Sequence, residues 1–357
     1  MEDKYVYAIY VTPLALAMAL FSSEMHAGET ILSDRVETLG AIQALLGKTE
    51  IEGPSSLEAG VFVAQAILGE RKDDFSGSHA ERLMYCIGYS LAGREDDLRV
   101  LFRNPGDDTE KSLVELAVNF LLLGGHQQIA SRVIDSPEYS GLRTGVLESS
   151  YLEALMRDDQ DAMTFLKSQI PKDRIEQVEE LNVTKIRRAS FSRQFAKTCG
   201  SQWLLASPDN ISFVTDSNTQ KDKPIEAAGV ALYHAIKDRE EVSADALSAL
   251  EGQEDYRGLL TLYRLRQIGC DGFQEGLSLD VVSKFEFRAR FAALITCDAA
   301  RAATILSQVN ERYISDAVFQ LSAYAQSTLS DEETVSLSRR IESETLRLFF
   351  LCCSLVK

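Results

Sequence analysis

The chain has 357 residues, 45% of them hydrophobic, enough to bury a sizeable core, which excludes wholesale disorder. Its 7 prolines and 21 glycines are too few turn formers for an all-β protein. A net charge of −17 sets the surface against phosphate backbones and anionic lipid, so nucleic acid is not an expected partner.

Residues 5–21, YVYAIYVTPLALAMALF, hold only Thr12 and Pro13 outside the apolar set. The stretch reads as a buried first helix with Pro13 near its first turn. A signal h-region, a membrane anchor or an interfacial segment stays open as an alternative. Against a signal peptide, the start MEDK is net negative where positive charge is wanted.

Ser33 and Asp34 suit the cap of a helix running through VETLGAIQALLG, and Pro54-Ser55-Ser56 opens LEAGVFVAQAILG, stopped near Gly69. AERLMYCIGYSLAG, DDLRVLF and EKSLVELAVNFLLL follow, the last ending at Gly124-Gly125. Next come HQQIASRVI, LRTGVLESSYLEALM, QDAMTFLKSQI, KDRIEQVEEL and VTKIRRASFSRQFAKT. Long helices alternate with shorter ones across turns rich in Gly, Asp or Asn, the rhythm of an αα-hairpin repeat. Residues 207–224 are weakly periodic and polar and read as a linker or long loop. They divide an N-terminal helical block, 1–206, from a C-terminal helical-repeat block, 225–357.

One pattern recurs in the C-terminal block: VSKFEFRARFAAL at 282–294, VNERYISDAVFQL at 309–321 and IESETLRLFFLCC at 341–353. Offsets of 27 and 32 residues fit a helix-turn-helix unit stacked on copies of itself. The expected fold class is all-α, with stacked helical hairpins forming an irregular α-solenoid. Small residues (Ala130, Ala162, Ala302, Ala303 and Ala317) recur where helices would approach closely. In this the chain resembles the tetratricopeptide-like class of α-solenoid repeats. The class's Trp, Leu-Gly and Tyr at set spacings and its closing Pro are absent, so the resemblance implies architecture and no ligand-binding residue. In the last unit Leu348, Phe349, Leu351, Cys352 and Leu355 are expected to pack on the preceding repeat, since a repeat cannot bury its apolar face alone.

Catalytic signatures are missing. There is no phosphate-binding loop, dinucleotide fingerprint, zinc-protease helix or nucleophile elbow. His26, His79, His126 and His234 lie far apart, and the pairs Asp96-Asp97, Asp107-Asp108, Asp158-Asp159, Glu179-Glu180 and Glu332-Glu333 read mostly as helix caps and dipole partners. No metal site and no cofactor are expected. Cys86, Cys199, Cys270, Cys297, Cys352 and Cys353 show no paired zinc spacing and read as buried, reduced thiols, which suits a cytoplasmic location.

The feature that stands out is a basic island in an acidic chain. Lys185, Arg187, Arg188, Arg193 and Lys197 fall within thirteen residues. At about 100° per residue, Val183, Ile186 and Ser190 share one side and Lys185 and Arg188 another. The island suits an acidic partner, or internal pairing with Glu176, Glu179 and Glu180 on the preceding helix. Trp203, the only tryptophan, is a second candidate anchor or the packed end of a helical layer. The sequence thus leads to a non-enzymatic protein-interaction module (scaffold, adaptor or chaperone) with a protein partner and an oligomeric state left open. Two alternatives stand: an envelope-facing helical protein held by residues 5–21, and a helical hydrolase whose carboxylates meet only in three dimensions.

Overall fold

A computed structural model describes residues 32–49, 51–72, 79–102, 109–206, 224–238, 241–253, 256–274, 279, 281 and 283–355. The apolar stretch 5–21, the pair Asp107-Asp108 and residues 207–223 lie outside the described residues. Among the described residues the regular structure is entirely helical, with no strand. The chain forms two compact units, one of residues 1–186 with 351–357, the other of residues 187–350.

In the first unit the helices are α1 (Val36–Leu46), α2 (Ser55–Leu68), α3 (His79–Leu91), α4 (Glu95–Phe102), α5 (Thr109–Leu123), α6 (Gln127–Ile134), α7 (Arg143–Arg157), α8 (Gln160–Lys167) and α9 (Lys172–Leu181). Long helices pack in sequence, α2 on α3, α3 on α5, α5 on α7 and α7 on α9, while α4, α6 and α8 fill the steps between. The long helices α3, α5, α7 and α9 start 30, 34 and 29 residues apart, so the long–short alternation seen in the sequence is present in the first unit.

Local chemistry sets the turns. Asp158 takes the left-handed conformation (φ 66°) that closes α7, and Asp159 opens α8 by accepting the Ala162 amide at 2.9 Å. One adjacent acid pair therefore ends one helix and starts the next, as capping predicts. His126 has a similar local task. Its Nε2 lies 3.0 Å from the Leu91 carbonyl, and its ring fills the space beside Gly93 and Gly124. His234 is exposed at the surface of its helix.

In the second unit stand α10 (Val183–Cys199, whose first turn belongs to the first unit), α11 (Ser201–Ala206), α12 (Pro224–Asp238), α13 (Ala244–Leu250), α14 (Arg257–Gln274), α15 (Lys284–Cys297), α16 (Ala299–Thr304), α17 (Ile314–Thr328), α18 (Asp331–Ser338) and α19 (Glu344–Ser354, whose residues from Leu351 on belong to the first unit). Nearest-neighbour packing holds for α12, α14 and α15, but α11 packs on α15 and α17, far along the chain. Two of the three recurring segments are α15 and α19; the middle one starts with the 3-10 turn Glu311–Tyr313 before α17. Tyr313 stacks on Phe287 with ring centroids 4.5 Å apart and donates its hydroxyl to the Val281 carbonyl. Between α15 and α17 the side chain of Asp316 holds Arg288 at 2.7 Å and Lys284 at 3.2 Å. Leu348, Phe349, Leu351, Cys352 and Leu355 of the last helical segment are all buried. The expected packing on the preceding repeat holds only in part: Ser322 of α17 donates to the Phe350 carbonyl at 3.2 Å, whereas the residues from Leu351 on belong to the first unit, where Cys352 and Cys353 lie beside Gly60. Burial of each leucine or phenylalanine is worth about 1.5–3 kcal/mol.

The cysteine expectation needs correction. Cys86, Cys199, Cys352 and Cys353 are buried free thiols, but Cys270 and Cys297 form a disulfide with Cα atoms 5.4 Å apart. Burial pushes the Cys86, Cys199 and Cys353 thiols up to about 12.

Candidate functional site

Helix α10 carries the basic island, and the structure fixes its phase. Among its described side chains Ser192, Phe195 and Cys199 are buried, spaced three and four apart as one helical face. Val183, Arg187, Ser190, Arg193 and Lys197 follow one another at spacings of four and three on the opposite side. Val183, Arg187, Ser190 and Lys197 are exposed and Arg193 half-buried. Lys185 is exposed on the flank, and the side chain of Arg188 lies outside the described residues. Of the three residues read as sharing one side, Val183 and Ser190 are exposed and Ile186 is half-buried. The island splits: Arg187, Arg193 and Lys197 share the outward stripe, while Lys185 sits nearer α7.

In the first unit two apolar side chains stand out: Leu181, the last residue of α9, is 76% exposed, and Val183, the first of α10, is 44% exposed. Exposed apolar side chains are common singly. Two acids expected to pair with the island are engaged elsewhere, Glu176 with Lys172 at 3.7 Å and Glu179 as acceptor from the Tyr151 hydroxyl.

Trp203 is not part of this surface. It is 1% exposed, and its neighbours lock α11 onto the second unit. Ser201 donates to the Ala323 carbonyl at 2.8 Å, and Gln202 donates to the Thr296 hydroxyl at 2.9 Å. The tryptophan packs a helical layer, because the polar residues beside it anchor the turn inward, and it is withdrawn as a docking anchor.

The cluster that the sequence did not reveal is Glu153 with Arg157 on α7. Arg157 is 5% exposed. Burial pulls its guanidinium down, opposed by Asp159 and Glu153. Burial raises the Glu153 carboxyl, opposed by Arg157 and then Lys185. Glu-x-x-x-Arg is the spacing of an ordinary surface ion pair, so nothing local signals that Arg157 is buried with its Nε and Nη2 making no hydrogen bond. Burial leaves the Glu153 carboxyl easier to protonate. Among the described residues no three His, Cys, Asp or Glu side chains gather to hold a metal, and no helix is long and apolar enough to cross a membrane.

No protein-family model matches the chain, and no curated protein or solved structure matches it either.

Proposed function

We propose that this chain is a protein-interaction module of irregular α-solenoid type, and that it docks an acidic segment of a protein partner on the outward stripe of α10. The observation that carries the reading is the run of exposed cations on one face of α10 in the second unit, Arg187 and Lys197 with Ser190 between them, on a chain of net charge −17. The cations select and steer an acidic partner. The stacked long–short helix pairs of the first unit support the scaffold part of the reading, because repeat stacks present extended surfaces suited to binding.

A defined probe tests it: a helical peptide with glutamates on one face, titrated by fluorescence anisotropy. Saturable binding that weakens with salt is expected. The Arg187→Glu/Lys197→Glu variant should bind at least about tenfold more weakly, equivalent to 1.4 kcal/mol, with unchanged helical content. Equal binding by wild type and variant, or no binding to wild type, removes the proposal.

The Cys270–Cys297 disulfide favours a second reading, an envelope-facing helical protein, since stable disulfides belong mostly to oxidising compartments. Fractionation of the untagged protein with thiol alkylation at lysis separates the two readings. A bridged protein in the envelope fraction supports the second, and a reduced cytoplasmic one refutes it.

A further inference from the structure

We infer that Cys270–Cys297 is a reversible thiol–disulfide exchange site that clamps the last turn of α14 to the end of α15. Three observations converge on it.

The first is access. Cys270 and Cys297 are half-buried, whereas the four other cysteines are buried. An incoming thiolate can reach the bridge and not the free thiols. The buried thiols, Cys86, Cys199 and Cys353 being held protonated up to about pH 12, do not compete by reshuffling it.

The second is the backbone. Gly269 lies at φ 69°, ψ 175°, which breaks α14 just before Cys270. Only glycine adopts this region readily. The helix before the break is fixed by its own contacts: Arg266 donates to the Ile236 and Thr198 carbonyls, and Gln267 donates to the Tyr263 hydroxyl. The dihedrals at Gly269 kink the helix there, and the sulfur bridge ties the turn beyond it, Cys270–Gln274, to the end of α15.

The third is the neighbouring anchor. Val281 is held separately, its carbonyl accepting from Arg312 at 2.8 Å and Tyr313 at 3.0 Å. Opening the bridge therefore releases the turn before this anchor and leaves the start of α15 in place.

The chemistry balances with a dithiol as reductant. Its thiolate attacks one bridge sulfur, forming a mixed disulfide and displacing the other cysteine as a thiolate that takes a proton from water. The second thiol of the reductant, deprotonated in turn, closes on the mixed disulfide and releases the remaining cysteine. The reductant leaves as a cyclic disulfide, having supplied two electrons. Exposed Ile268, 56% accessible, lies beside the released turn, so the surface altered by reduction includes an apolar contact point.

The test is hydrogen exchange on the full chain with and without dithiothreitol, preceded by a thiol count in denaturant without reductant. Four free thiols are expected before reduction and six after. Reduction should accelerate exchange at residues 270–274 at least tenfold and leave residues 284–297 protected. The Cys270→Ser/Cys297→Ser variant should show the reduced pattern in both buffers. Six thiols at the outset would show that no bridge forms. Unchanged exchange at 270–274 would show that the bridge clamps nothing, and loss of protection throughout the second unit would make it a structural staple rather than a switch. Any of these three results overturns the inference.

Discussion

Gly88 in α3 should be irreplaceable even by alanine, although alanine is the better helix former by about 1 kcal/mol. A Cβ at this position would lie 2.5 Å from the Val63 carbonyl oxygen and 2.5 Å from Ala66 Cβ. Ordinary contact begins at 3.4 Å, so α2 would have to retreat by close to 0.9 Å. Neither obstacle is the loose end of a side chain; one is backbone and the other is fixed to it. Val63 and Ala66 are also buried, at 2% and 0% exposure, so the shift strains a packed interface. Overpacking of this kind costs roughly 1–3 kcal/mol and more when backbone must move. With backbone obliged to move, the upper part of that range applies, about 2–3 kcal/mol, and we therefore expect a net loss of about 1–2 kcal/mol for Gly88→Ala after the propensity gain. For a unit of this size that corresponds to a melting temperature lower by roughly 2–8 °C. Gly60 and Gly40 serve as internal controls. At Gly60 in α2 the nearest atoms to an added Cβ are Cys353 Sγ at 3.4 Å and Cys352 Cβ at 3.6 Å, and at Gly40 in α1 nothing lies within 4 Å. Gly60→Ala should be near neutral, and Gly40→Ala should stabilise by up to about 1 kcal/mol. Thermal and urea melts followed by circular dichroism give the ranking. A Gly88→Ala protein melting at or above wild type would refute the close-approach argument.

Asp316→Ala should destabilise by about 2–4 kcal/mol in urea melts, because it strands Arg288, whose side chain is only 20% exposed, without its carboxylate; a change under about 0.5 kcal/mol would show that the pair is idle. Stability should hold up to about pH 9 and fall as pH rises towards 12. Cys86, Cys199 and Cys353 ionise near 9.0 when unfolded but only at about 12 when folded, so the unfolded chain loses protons first in that window. Equilibrium unfolding measured across that range checks the sign, and rising stability would contradict it.

The outward surface of α10 shows why the proposed docking stripe was only half legible. Its basic residues were readable, since charge is visible residue by residue. Its phase was not legible, because the described residues that the structure buries, Ser192, Phe195 and Cys199, include two small ones, while Val183 and Ile186 offered a competing apolar side. A helix of weak amphipathicity takes its orientation from what packs against it. Trp203 was ambiguous for a related reason. A tryptophan suits a buried layer and an exposed anchor alike, and the decision came from Ser201 and Gln202 bonding to α17 and α15.

By itself the sequence determined what depends on neighbours a few residues away. Helical class, the long–short alternation of the first unit and the buried run of α19 were all legible, as was the use of Asp158 and Asp159 as stop and start of adjacent helices. Each rests on periodicity or capping, interactions that close within one or two turns. Only the tertiary structure decided the rest. It folded Glu153 and Arg157 inward, brought Cys297 to Cys270 across 27 residues past the break at Gly269, and laid α11 on helices about 90 to 120 residues away. These depend on which surfaces meet, and a side chain's identity does not carry that information: the same carboxylate, thiol or indole is stable in water or in the core according to the partner that the fold supplies.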